Sequence, residues 1–286
     1  MAKVFVLGSI NRDISIQADR FPQVGETVKG SGFFQAFGGK GSNQAIAAFR
    51  SGADVTFIGS VGNDAEGESF ISLLRREGMN TDNIRVVQEH TGTAVITLAE
   101  SNNTIIIYAG ANNEITEEQI DKGLNKADKG DYLIIQFEIP LDKIIYASRA
   151  AKEKGMIVVI NPAPCAYEIK DFIHNIDFII PNETEYRILK ENSRNQIELI
   201  PNLIVTLGKD GSQYIGNKDN FVVPSLKVKA VDTTAAGDTY VGYLIGSLSK
   251  GMSLKDSMKR ATKAASITVT RLGAIPSIPY KSEVDK

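Results

Sequence analysis

Six short runs of aliphatic and β-branched residues, at 4–7, 55–58, 132–137, 157–160, 178–180 and 203–207, alternate with stretches of helical periodicity, among them 41–51, 66–77, 117–127 and 141–154. A strand that is apolar at every position has to be covered on both faces, and a parallel sheet with helices on either side does this. The alternation therefore predicts a doubly wound, mostly parallel α/β sheet flanked by helices. Gly, Asp or Asn punctuates each helical stretch, as expected of helix ends.

Two segments break the rhythm. Residues 13–37 are rich in turn formers with polar and apolar positions alternating, and 91–109 read as a hairpin around Ser101-Asn102-Asn103. They predict a small separate β-sheet inserted in one domain spanning 1–286. The C-terminal third adds strand-like runs at 212–215 and 221–223 and two helices near 237–249 and 254–270.

A chain of 286 residues that is 42% hydrophobic can close a large core. Lys+Arg 32 against Asp+Glu 34 leaves a net charge of -2, so no basic field draws nucleic acid or an anionic membrane surface. The single cysteine, Cys165, excludes an internal disulfide framework. It has no His partner nearby and reads as structural. The first residues carry an apolar run too short for an export signal, and no run approaches 18 apolar residues. A cytoplasmic chain, not membrane-bound, is expected.

Asp232-Thr233-Thr234-Ala235-Ala236-Gly237-Asp238 passes from a strand end through small residues into a helix, so backbone N–H groups converge where an anion would sit. Gly237 and the two alanines let a phosphate approach closely. Asp238, in the first helical turn, is placed to accept a proton from a substrate hydroxyl or only to complement the helix dipole. Gly38-Gly39-Lys40-Gly41-Ser42-Asn43 is a glycine loop entering an amphipathic helix. It is not a phosphate loop, because Gly41 separates Lys40 from Ser42 and no strand immediately precedes it. It reads as a polyol clamp, with Gly39 admitting the ligand and Lys40 and Asn43 donating to hydroxyls, though helix capping explains the same residues.

Asn11 and Asp13 follow the first strand, at the carboxyl end where open α/β sheets bind ligands, and can pair with vicinal hydroxyls. Glu138, just past the 132–137 run, adds an acceptor. Ordinary turn residues would look the same. Glu183 and Glu185 fall in one turn at a helix start, where acids are also favoured by the dipole alone. Thr206-Leu207-Gly208-Lys209-Asp210-Gly211 ends a strand as a nucleotide-cradling turn or a plain hairpin would.

In this order and over essentially the whole length, these motifs, with Asn161-Pro162-Ala163-Pro164 and Pro181-Asn182-Glu183-Thr184-Glu185, resemble the carbohydrate kinases of the PfkB family, most of all the members that phosphorylate D-ribose. The resemblance implies a sheet of about nine strands with a small β lid, and transfer of phosphate from ATP to the 5-hydroxyl of ribose. It assigns Asn11, Asp13, Gly39, Lys40, Asn43 and Glu138 to the sugar, with Arg12, Gly41 and Ser42 beside them. Asp238 becomes the base, and Ala235, Ala236 and Gly237 the anion hole. Asn182, residues Thr206, Leu207, Gly208, Lys209, Asp210 and Gly211, together with Gly237, Asp238 and Thr262, fall to the nucleotide. A K⁺ site is implied at Asp232, Thr234, Thr268, Arg271, Gly273 and Ser277, several through carbonyls, and Glu185 is implied as organiser of Mg²⁺ and its waters. A homodimer through the lid is implied as well.

Two places depart from the family pattern. The 189–201 stretch is short, with little room for a helix before the strand at 203–207, and Thr262 stands where a His often lies beside adenine. Two alternatives remain: a family member acting on another sugar or a nucleoside, and a non-catalytic sugar-binding relative. The pairing of Asn11 with Asp13 favours vicinal hydroxyls, and Asn11 argues against a deoxy sugar.

Overall fold

A computed structural model describes residues 1–100, 102–164, 169–170, 172–192, 196–216 and 219–286; Cys165 lies outside the described residues. In chain order the elements are β1 (Val4–Leu7), β2 (Asn11–Ala18), β3 (Gly30–Gly38), α1 (Lys40–Arg50), β4 (Val55–Gly62), α2 (Ala65–Glu77), β5 (Ile84–Val87), β6 (Gly92–Ala99), β7 (Asn102–Tyr108), α3 (Glu117–Gly123), β8 (Tyr132–Gln136), α4 (Leu141–Glu153), β9 (Ile157–Asn161), β10 (Phe178–Ile179), α5 (Glu183–Asn192), β11 (Asn202–Thr206), β12 (Ser212–Gly216), β13 (Asn220–Val223), α6 (Ala236–Leu248), α7 (Leu254–Thr268) and α8 (Lys281–Val284).

Nine strands make one sheet in the order β13-β12-β11-β10-β9-β8-β1-β4-β5. It is parallel from β11 to β5, with β12 and β13 added antiparallel. The continuous apolar runs are explained by its two covered faces. Val4 and Val6 of β1 enter one core with α1, α2, α6 and α7, while Phe5 and Leu7 enter the other with α3, α4 and α5. Strand β5 carries no continuous run, because at this edge Arg85 and Val86 are exposed.

A second, smaller sheet of four strands, in the order β3-β2-β6-β7, is formed by the two segments expected to make the lid. Its strands begin and end one or two residues away from the sequence expectation. Strand β3 runs up to Gly38, so the expectation that no strand immediately precedes the glycine loop is corrected. The reason is that β3 is a mostly exposed lid strand, GSGFFQAFG, without the apolar continuity of a core strand. In register, Asn11 lies opposite both Gly38 and Gly92, and in the next row Phe37, Arg12, Thr93 and Tyr108 pair in turn across the sheet. All four strands are therefore rooted in one row. Asp64, the N-cap of α2, accepts bonds from the Thr91 N–H at 2.8 Å and the Thr91 hydroxyl at 2.7 Å, tying the root of β6 to the main domain.

The helix expected over 117–127 stops at Gly123. A side chain there would collide with Ile58, and the chain continues in tighter turns closed by Asn125 N–H to the Lys122 carbonyl and Ala127 N–H to the Leu124 carbonyl. In the short 189–201 stretch a 3₁₀ turn, Gln196–Leu199, stands directly before β11. Among the described residues, no helix is long and apolar enough to cross a membrane.

Candidate active site

The first turns of α1 and α6 meet beside the carboxyl ends of β1 and β8. They are brought together by small residues. A Cβ on Gly242 of α6 would lie 2.5 Å from the Ala47 side chain, and one on Gly246 would overlap the Ser51 hydroxyl. The helices consequently approach closely enough for Asn43 Nδ2 to donate to Asp238 Oδ2 at 2.9 Å and Gln44 Nε2 to Asp238 Oδ1 at 2.8 Å. Asp238 is only 7% exposed.

The turn into α1 depends on Gly39, whose φ of 91° is unfavourable for any residue with a side chain. It also brings the loop against the Asn11 N–H, which a Cβ would approach to 2.8 Å. Ser42 donates its hydroxyl to the Gly38 and Gly39 carbonyls, so it closes the turn rather than facing a ligand. Gly41 packs against the backbone of Gly8 and Ser9.

Glu138 Oε2 accepts from the Ser9 hydroxyl at 2.6 Å, the Lys40 N–H at 3.1 Å and Asn11 Nδ2 at 3.5 Å. One carboxylate thus fastens the end of β1, the root of β2 and the start of α1. Asn11 is oriented from behind by Asn112, whose Nδ2 donates to Asn11 Oδ1 at 2.8 Å and whose Oδ1 accepts from the Ile10 N–H at 2.9 Å. Asn112, Ser9, Gln44 and Gln136 escape the sequence reading as site residues. Each is a buried polar residue whose partner is distant in the chain; a polar side chain ending an apolar run, as at Gln136, is the one signal available.

Asp13 shares this cleft. Burial, followed by the negative charges of Glu138 and Asp238, pushes its carboxyl up to about 7, against the smaller opposing pull of Arg12. Lys40 is the counter-charge. Burial works against its ammonium, but Asp238, Glu138 and Glu185 outweigh it and hold Lys40 above its ordinary range. Arg12, the next residue along β2, is engaged elsewhere. It pairs with Glu66 at 3.2 Å, donates to Gln35 at 2.9 Å and lies over the Phe37 ring.

The N-terminus of α6 follows Ala235, which adopts a left-handed conformation with φ 60° and supplies no side-chain cap. The Ala236 N–H bonds the Thr233 carbonyl at 3.2 Å. Gly237 is exposed, with open space where a side chain would be. An uncapped helix start facing solvent beside a carboxylate and a lysine can receive a phosphoryl group.

On the nucleotide side, Asn182 and Glu185 cap α5 reciprocally. Asn182 Oδ1 accepts from the Glu185 N–H and Glu185 Oε2 from the Asn182 N–H, both at 2.8 Å. Burial pushes the Glu185 carboxyl up, as does Asp238, against the Asn182 bond and Lys40. Glu183 is exposed. Residues Gly208–Asp210 form a 3₁₀ turn joining the antiparallel pair β11 and β12, so the Thr206 to Gly211 segment is a hairpin connection with an open surface at Gly208. Thr262 is buried in α7 with its hydroxyl unpartnered.

Asp232 Oδ1 accepts from the Thr234 N–H at 2.9 Å and the Thr234 hydroxyl at 2.6 Å, and its Oδ2 from the Gly273 N–H at 2.9 Å. This staples the strand of chain leading to α6 onto the turn after α7. The side chains of Thr268, Arg271 and Ser277 are turned to Thr239, Glu283 and the Ala274 carbonyl respectively.

The sequence profile of the pfkB family carbohydrate kinases matches residues 1–281. The chain is 34% identical over 290 residues to the ribokinase of Bacillus subtilis, covering 100% of this chain and 99% of that protein. The ribokinase of Thermotoga maritima superposes with a TM-score of 0.90 at 33% identity, over 100% of this chain and 98% of the other. An Arabidopsis thaliana ribokinase complexed with ribose and ATP gives a TM-score of 0.89 at 30% identity, over 99% and 98%.

Proposed function

The chain belongs to the pfkB family of carbohydrate kinases, and from that premise we propose that it is a ribokinase, transferring the γ-phosphoryl group of ATP to the 5-hydroxyl of D-ribose. The observation that carries this reading is the meeting of Asp238, at the uncapped start of α6, with Asn43 of the glycine turn. It joins a base, a hydroxyl-binding loop and an anion-receiving helix end in one cleft.

Asn11, Asp13, Lys40, Asn43 and Glu138 hold the sugar hydroxyls, and Gly39 gives them access to the backbone. Asp238 accepts the proton of the 5-hydroxyl as it attacks the γ-phosphorus. A carboxylate is a weak base for an alcohol, but in a loose transition state the proton leaves late, so weak basicity suffices. Holding the two substrates in line contributes up to roughly 7–11 kcal/mol, and the first-turn amides of α6 stabilise the transferring charge. Closure of the lid keeps water from competing as the acceptor.

The nucleotide lies along Asn182, the Thr206 to Gly211 turn and Thr262. Among the described residues, no group of three or more His, Cys, Asp or Glu side chains is arranged to hold a metal ion. Glu185 fits a Mg²⁺ that arrives with the phosphates, since its half-buried acid beside Asp238 gains from an added positive charge; such an ion neutralises phosphate charge. Main-chain oxygens of the two segments stapled by Asp232 suit a K⁺, which would steady the turn before α6. The chemistry belongs in the cytoplasm, and the apolar lid pairs with that of a second copy.

The test is incubation with D-ribose, ATP, Mg²⁺ and K⁺, with the product read by phosphorus and carbon NMR. Ribose 5-phosphate is expected; ATP consumption only with another sugar or a nucleoside, or none at all, overturns the assignment.

A further inference from the structure

Gln44 and Gln136 are both fully buried. Gln44 Nε2 donates to Asp238 Oδ1 at 2.8 Å and to Asn161 Oδ1 at 2.9 Å, while Gln44 Oε1 accepts from Gln136 Nε2 at 2.7 Å. Asn161 Nδ2 is fixed on the Ile180 carbonyl at 2.8 Å, which leaves its oxygen facing Gln44. The glutamine therefore has two acceptors on one side and a donor on the other. Rotating its amide would set oxygen against the oxygens of Asp238 and Asn161, an arrangement heavily disfavoured in a dry interior.

We propose that Gln44 is a positioning residue for the Asp238 carboxylate, and that Gln136 acts through it by fixing the sense of its amide. The proposal rests on the reading of Asp238 as the base. With Oδ1 tied into this relay, Oδ2, shared with Asn43 of the sugar-binding turn, is the oxygen presented to the attacking hydroxyl. The relay spans the ends of β8, β9 and β10, so the base is set against the main sheet. Gln136 Oε1 has no partner and lies where a side chain on Gly8 would sit. An unpaired buried oxygen is destabilising, so the donor on the other arm of this amide is what the position supplies.

Steady-state ribose phosphorylation is to be measured for wild type, Gln44→Met, Gln136→Met, Asp238→Asn and each glutamine change combined with Asp238→Asn. Gln44→Met is expected to lower kcat about 10-fold or more and Gln136→Met about 3-fold to 10-fold, with KM for ribose and ATP held within about twofold. Neither loss should recur on the residual rate of Asp238→Asn, because no carboxylate is left to position. Equal proportional losses in both backgrounds mark a merely structural role and overturn the proposal, as does a raised KM with kcat unchanged. If Gln44→Met does not fold, Gln136→Met, which makes no contact with Asp238, decides by the same cycle. Wild-type turnover in Asp238→Asn is a separate failure, that of the base itself, and it removes the positioning role with it.

Discussion

Asp13 stands in the cleft with Glu138 and Asp238 as negative neighbours, and its carboxyl is pushed up to about 7. A raised carboxyl favours the folded state below its unfolded value near 4, and that contribution is lost as pH rises to about 7. The ligand-free protein is therefore expected to lose on the order of 1–3 kcal/mol across this window through Asp13, and Asp13→Asn to flatten the slope. Urea unfolding of both proteins from pH 4 to pH 8 measures it; identical slopes would remove Asp13 as the cause. Ribose hydroxyls donate to the ionised form, so KM for ribose should fall as pH rises through about 7, and Asp13→Asn should abolish that trend. At this scale the legible residues are those at strand ends and helix starts, Asn11, Asn43, Glu138 and Asp238, because local chain geometry alone sends them to the cleft. Gln44 and Asn112 are not legible that way, since what gives each its part is a partner on another element about 100 or more positions away. Arg12 misleads for a different reason: along a strand, neighbours face opposite ways, so flanking two cleft residues places it outside the cleft.

Helices α1 and α6 set the cleft by their separation. Gly242→Ala would bring a methyl within 2.5 Å of the Ala47 side chain and 2.7 Å of backbone atoms on α1, so the helices must part. We expect destabilisation of roughly 1–3 kcal/mol and a lower kcat, because Asn43 and Asp238 are on opposite helices; thermal unfolding and kinetics check both, and unchanged values in each would mean that the packing tolerates the shift. The loop before α6 behaves as a second element. Asp232→Ala frees it from Thr234 and Gly273, so the response of kcat to K⁺ over Na⁺ should shrink or vanish. A K⁺ response that survives this substitution would place the ion elsewhere. The strands and helices themselves were legible wherever an apolar face forced their period. The edge strand β5 was not, because half of it is exposed and its residues answer to pairing with β4 rather than to a core.

Over the whole molecule, the nine-stranded sheet follows from runs that are apolar on both faces, and the lid from segments that are not. The exact ends of the lid strands were illegible because pairing between exposed, polar and glycine-rich strands leaves no hydrophobic boundary. The lid keeps Phe33, Ile105, Ile106 and Ile107 exposed, Ile106 to 74%, and β7 is an edge strand without cover. Such a surface favours pairing. Light scattering at micromolar concentration should find a dimer, and Ile106→Asp a folded monomer; a monomeric wild type would refute the pairing. The row Phe37, Arg12, Thr93 and Tyr108, in which all four strands of the small sheet are rooted one residue beyond Asn11, makes that sheet a lever whose fulcrum lies beside Asn11, the residue proposed to hold the sugar. Eight residues of β6 give an arm on the order of 25 Å, so a rotation of about 10° at the root carries the tip through about 4 Å. Motion too slight to detect around Asn11 is thus magnified at the turn between β6 and β7, and a fluorophore at Asn102 would read the grip on the sugar as a displacement of the far end.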